Sequence, residues 1–193
     1  MTSFGRVVRL QVQTAGLKRG EKPNRVYDPG PLQEVARLRL TPHGATGETA
    51  EDGTALDVHH ADHPESKHAP GREVSFGFTS HYAKIRGRYG ERLSIGCAGE
   101  NVLLESDRVF RLEDFAGGLA FQSAATGALL RLSAVTVAEP CVEFSRFTLN
   151  DPQASPQDLK PVLQFLDAGT RGYCFTPDGE LVLRPGDLLV TLG

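Results

Sequence analysis

The chain has 193 residues, 39% of them hydrophobic and 21 of them glycine, which suits a single globular domain spanning 1–193 and excludes wholesale disorder. Its 21 basic and 24 acidic residues leave a net charge of −3, so neither nucleic acid nor a membrane surface is expected as a partner. No apolar run approaches the ~18 residues that span a bilayer, and the first residues lack a signal peptide's apolar core, so a cytoplasmic protein is expected.

Short strands dominate the pattern. Val7–Gln13 alternates, with Val8, Leu10 and Val12 on one face and Arg9, Gln11 and Gln13 on the other. Residues 15–32 read as a long loop. Glu34–Leu40 alternates again, turning Ala36, Leu38 and Leu40 inward, and residues 41–72 form a second long loop. Loops of such length in a compact domain usually carry function. Val74–Phe78 is a strand, followed by a helix that Thr79 or Ser80 opens, Tyr82, Ile85 and Tyr89 line, and Gly90 ends. Asn101–Leu104, Val109–Leu112 and Ala128–Val137 are further strands. Ser155 caps a helix with Pro156 at its first position; Leu159, Val162, Leu163 and Leu166 form its apolar stripe, and Gly169 stops it. Tyr173–Thr176, Glu180–Leu183 and Leu188–Leu192 close the chain, separated by Pro-Asp-Gly and Pro-Gly-Asp turns. Many short strands joined by Gly-rich turns predict a mainly β fold: a closed or nearly closed β-barrel with two or three short peripheral helices.

Three constellations carry chemistry. Four of the six histidines fall between Asp57 and His68, where His59 with His63, or His60 with Asp62, can converge on a metal, although the spacing matches no closed metal motif. In Gly96-Cys-Ala-Gly-Glu-Asn101 the glycines let backbone approach a ligand, and Asn101 offers both a donor and acceptors; a tight turn is the plainer reading. The cysteines, Cys97, Cys141 and Cys174, form no CxxC, which excludes a zinc ribbon and a thioredoxin-type site. Cys141 follows Pro140, where a strand is expected to end and present the thiol at a rim, with Lys18, Arg146 and Arg171 as candidate neighbouring cations.

Taken in order, these pieces resemble the MOSC domain, named for the carboxy-terminal domain of molybdenum cofactor sulfurase. The matching run comprises a first strand followed by Gly16-Leu17-Lys18, the loop with Gly44 and Gly47, and Asp57-x-His59-His60. It continues with Gly96-x-x-Gly99-Glu100-Asn101-Val102, Pro140-Cys141, Gly172-Tyr173 through Gly179, and Pro185-Gly186-Asp187. The resemblance implies a MOSC (pyruvate-kinase-barrel-like) β-barrel that binds molybdenum cofactor (molybdopterin) or carries sulfur as a cysteine persulfide. Cys141 would be the catalytic thiol and metal ligand, with His60 as a second catalytic group. Lys18, His59, Glu100, Asn101 and Arg171 would bind the cofactor. Several relatives reduce N-hydroxylated compounds, so a small-molecule substrate is implied, together with a cysteine desulfurase or electron-donor protein as partner. Small relatives read His-Gly-Gly where this chain has His59-His60-Ala61-Asp62, and no iron–sulfur or flavin segment is present to supply electrons. The alternative is a non-enzymatic β-barrel module binding metal through His59, His60 and His63, with Cys141 structural.

Overall fold

The structure, a computed structural model, describes residues 2–49 and 53–193. In chain order the elements begin with β1 (Ser3–Gln13), β2 (Lys18–Arg19), β3 (Val26–Tyr27), β4 (Leu32–Glu34), β5 (Arg37–Thr41), β6 (Gly44–Glu48) and β7 (Thr54–Leu56). They continue with β8 (Val74–Phe78), α1 (Thr79–Tyr89), β9 (Val102–Glu105), β10 (Leu119–Gln122) and β11 (Leu129–Val137). Last come α2 (Val142–Leu149), α3 (Pro156–Leu166), β12 (Tyr173–Pro177), β13 (Leu181–Leu183) and β14 (Leu188–Thr191).

Seven strands close a barrel in the order β1-β14-β10-β11-β12-β8-β9, with β9 pairing back onto β1. Every seam is antiparallel except β8 with β9, where Phe76 faces Val102 and Phe78 faces Leu104. A parallel pair needs a long crossover, and α1 with the glycine turn at 96–99 supplies it. The long β1 reaches beyond the barrel to pair β4, and β13, β5, β6 and β7 form a separate four-stranded sheet. Leu10, Phe76, Phe78, Phe121, Tyr173 and Phe175 fill the barrel with no exposed surface. Phe76 stacks on Tyr173 with centroids 5.3 Å apart. A second cluster under the helices joins Tyr27, Tyr82, Ile85, Phe144, Val162 and Leu166. Among the described residues no helix is long and apolar enough to cross a membrane.

Several expectations are corrected. A bulge between Val7 and Arg9 shifts the phase of β1, so Val7 and Leu10 are both buried while Val8 is exposed. The 34–40 strand is broken: Val35 turns inward, its N–H bonded to the Leu10 carbonyl at 3.0 Å, and Ala36 is exposed. Residues 109–112 form no strand, because Phe110 plugs the core and Leu112–Phe115 is a 3-10 turn, its Asp114 carboxylate accepting from Arg111 N–H at 2.7 Å. The 15–32 loop contains the β2–β3 hairpin and starts β4, and the 41–72 loop contains β6 and β7; its residues 50–52 lie outside the described residues. The strand ends at Val137, short of the proline, and Cys141 begins helix α2, which the β-branched and aromatic composition of Val142–Leu149 conceals.

Candidate functional site

Tyr173 and Phe175 point into the barrel, so Cys174 between them points outward. With Ser75 of the neighbouring strand β8 it lines a cavity of about 470 Å³. Gly99, Glu100 and Asn101 form another wall, His59 and Lys67 a third, and Lys18, Arg25, Tyr27, Arg171 and Cys141 surround the rest.

The glycine turn is held from β1. Gly96 and Gly99 lie at φ of 87° and 95°, where a side chain is strained, and the Gln11 and Gln13 amides donate to their carbonyls at 2.8 and 2.7 Å. These glutamines alternate outward from the barrel as the pattern predicts, yet both are buried under the turn. Asp57, fully buried, ties three segments together. Its Oδ2 accepts from Gln13 N–H at 2.8 Å and from the Asn101 amide at 2.7 Å. Its Oδ1 accepts from His59 N–H at 2.9 Å and lies 2.9 Å from His59 Nδ1, an arrangement that leaves Nε2 for the cavity. Asn101 Oδ1 accepts from Ser75 N–H at 3.0 Å, so both ends of its amide are engaged inside the protein. Asn101 therefore builds the wall, and its donor and acceptor are not free for a ligand.

Glu100 is fully enclosed, and burial raises its carboxyl to about 7; the Tyr82 hydroxyl, donating at 2.8 Å, works against that rise. Lys18 and Arg25 both reach Glu143, at 3.5 and 2.6 Å. Burial pushes Glu143 up, but its own backbone N–H and these two cations hold the carboxyl down at about 2. Arg72 pairs Glu139 at 3.0 Å, and Arg171 donates to the Glu139 carbonyl, stapling the segment before Cys141 to the start of β12. Among the described residues neither Lys67 nor Arg171 has a carboxylate partner, and the cavity is cationic although the chain is net acidic.

The three thiols differ. Cys141 is half-buried at the N-cap of α2, on the positive side of the helix dipole. Cys97 is buried, which pushes its thiol up to about 12. Cys174 is half-buried, with burial raising its thiol.

Of the residues singled out in the sequence, Cys141, Lys18, His59, Glu100, Asn101 and Arg171 line one cavity. His60 does not line it. Its ring is buried, its Nδ1 accepts from Asp62 N–H at 3.1 Å, and its backbone packs against Gly44, which explains why burial lowers its titration. The imidazoles of the loop scatter: His63 Nε2 lies 3.3 Å from the Thr14 carbonyl and His68 Nε2 lies 3.8 Å from Glu73. Among the described residues no three His, Cys, Asp or Glu side chains converge on a metal position. Sequence reasoning missed Arg25, Tyr27, Lys67 and Arg72, whose only signal was loop length, and Cys174, which reads as a strand filler.

No family model matches the chain, and no curated protein matches it in sequence. Solved structures do. YuaD from Bacillus subtilis superposes with a TM-score of 0.53 at 13% identity, covering 96% of this chain and 97% of that one. YiiM from Geobacillus stearothermophilus gives 0.55 at 18%, covering 97% of this chain and 75% of that one. YiiM from Escherichia coli gives 0.51 at 14%, covering 83% and 65%. At these identities the likeness carries the fold alone, and it supports the MOSC-type barrel expected from the sequence.

Proposed function

We propose that the cavity holds molybdenum cofactor, with the Cys141 thiolate as a metal ligand, or that Cys141 carries sulfur as a persulfide. The observation that carries this reading is a half-buried thiol opening on a cationic cavity of about 470 Å³. The lining fits such a group: a soft thiolate suits molybdenum or sulfane sulfur, and Lys67 and Arg171 suit a phosphate. Bound there, the cofactor would supply two-electron redox chemistry, with reduction of N-hydroxylated compounds as the candidate activity. Arg171 and Lys18 would orient the anionic end, and His59, its Nδ1 fixed by Asp57, would hand a proton to a substrate oxygen from Nε2. As a sulfur carrier, the Cys141 thiolate attacks the outer sulfur of a desulfurase persulfide; a new S–S bond forms, and the donor leaves as its thiolate.

Elemental analysis and pterin fluorescence on protein expressed in a cofactor-competent cell test the first form. Cyanide-labile sulfur after incubation with a cysteine desulfurase tests the second. Bound molybdenum with pterin, or labile sulfur lost in Cys141→Ser, is expected. Zinc or nickel without pterin, and no labile sulfur, would favour the metal-binding module instead.

A further inference from the structure

Glu100 is a buried acid in a cavity otherwise suited to anions. It is 4% exposed, and Oε2 accepts from the Tyr82 hydroxyl at 2.8 Å, which in turn accepts from Ala98 N–H at 3.0 Å. Among the described residues no donor from another residue reaches Oε1. Tyr82 reaches it from α1, and the other titratable groups close enough to act on its charge are Arg9 of β1, Tyr27 of β3, Cys97 of the glycine turn, Cys174 of β12 and Arg171 just before it. On the β8 side stands Gly77, where a Cβ would come within 2.8 Å of Oε1. The carboxyl is thus confined, with a single side-chain donor and two cations, Arg9 and Arg171, acting on it.

An anion drawn in by Lys67 and Arg171 enters the cavity that Glu100 lines, and Arg171 acts on the Glu100 carboxyl as well. Two like charges repel, most strongly where one of them is buried, and the arrangement relaxes when that one takes a proton. We propose that the cavity takes up an oxyanion together with one proton, and that Glu100 carries the proton. This rests on the anion-binding reading of the cavity given above. Burial already brings the carboxyl to about 7, so uptake occurs at neutral pH. By linkage, affinity then falls about tenfold for each pH unit above that value.

Inorganic sulfate, a dianion that does not titrate near neutrality, is the probe. The whole chain is titrated by NMR at constant ionic strength between about pH 6 and about pH 9, where the carboxyl changes state. The expected result is a roughly hundredfold weakening between about pH 7 and about pH 9, as uptake of one proton requires. Glu100→Gln should bind equally well across the range, and Tyr82→Phe, which loses a hydrogen bond to the charged form, should move the onset of weakening to higher pH. Circular dichroism verifies that both variants are folded. Sulfate binding that is independent of pH in the wild type overturns the proposal and leaves the anion site standing. A dependence that survives in Glu100→Gln but disappears in His59→Gln reassigns the proton to His59 and overturns it as well. If sulfate does not bind at about pH 6, and Arg171→Gln changes nothing, the anion reading fails and takes the proposal with it.

Discussion

Cys141 and Cys174 line the same cavity, yet only the first stands at a helix N-terminus, while Cys97 lies buried outside it. With its thiol at about 12, Cys97 has ~1,000-fold less thiolate than an ordinary cysteine. Iodoacetamide should therefore label Cys141 first, Cys174 about tenfold more slowly, and Cys97 only after denaturation; peptide mass spectrometry over a time course reads the order. Cys141→Ser should keep the circular dichroism spectrum and, on the proposed sulfur-carrier reading, show no cyanide-labile sulfur after incubation with a desulfurase. Asp57 is the residue on which the wall geometry depends most, since four donor contacts converge on its two oxygens. Asp57→Ala leaves buried donors unpaired and should cost about 3 kcal/mol in urea melts, well beyond a surface substitution.

Among the elements, α3 is held by its own cap and by its docking. Ser155 and Asp158 form a reciprocal capping box, and Leu159, Val162 and Leu166 are buried. Ser155→Ala should cost about 1 kcal/mol and Val162→Ala about 2 kcal/mol, both read as denaturant midpoints with unchanged slope. The cap, the first-turn proline and the apolar stripe are all local, so this helix was legible from residues alone. α2 was not. Its start depends on Cys141 turning into the helix after Pro140, and its buried face, Phe144, packs against Tyr27 at 5.0 Å from a hairpin more than a hundred positions earlier. Strand β6 was hidden for a related reason: Gly44-Ala-Thr-Gly-Glu48 has little strand propensity, and pairing with β5 and β7 makes it a strand.

At the scale of the whole molecule, two buried groups pull stability in opposite directions with pH. Burial lowers His81 to about 4; its Nδ1 lies 2.9 Å from the Gly169 carbonyl, and Nε2 accepts from Phe110 N–H. A folded-state value below the unfolded one means stability is lost as pH falls from about 6.5 toward 4. Glu100 is raised to about 7, so its penalty grows as pH rises from about 4.5 toward 7. Each effect amounts to roughly 3 kcal/mol, and between about pH 4.5 and 6.5 they offset. The wild-type chain should show a flat stability profile there, measured by urea unfolding, and Glu100→Gln should convert it into a slope falling toward acid. Below about 4.5 the Glu143 pairs with Lys18 and Arg25 are also lost progressively, steepening acid unfolding.

The order of motifs along the chain, through its family resemblance, drew suspicion to Cys141, His59 and Glu100; local signals determined the mainly β class, two of the three helices and the positions of most barrel strands. Those features rest on period, caps and turn residues, which neighbours in the chain decide among themselves. Barrel closure through β1 and β14, the bulge that turns Val7 inward, and the removal of Leu181–Leu183 to a second sheet beside β5 depend on partners far along the chain. The same holds for the cavity. Lys67, Arg171 and Cys141 become neighbours only when the loop before β8, the start of β12 and the head of α2 meet around it, because charge and burial are properties of the assembled surface.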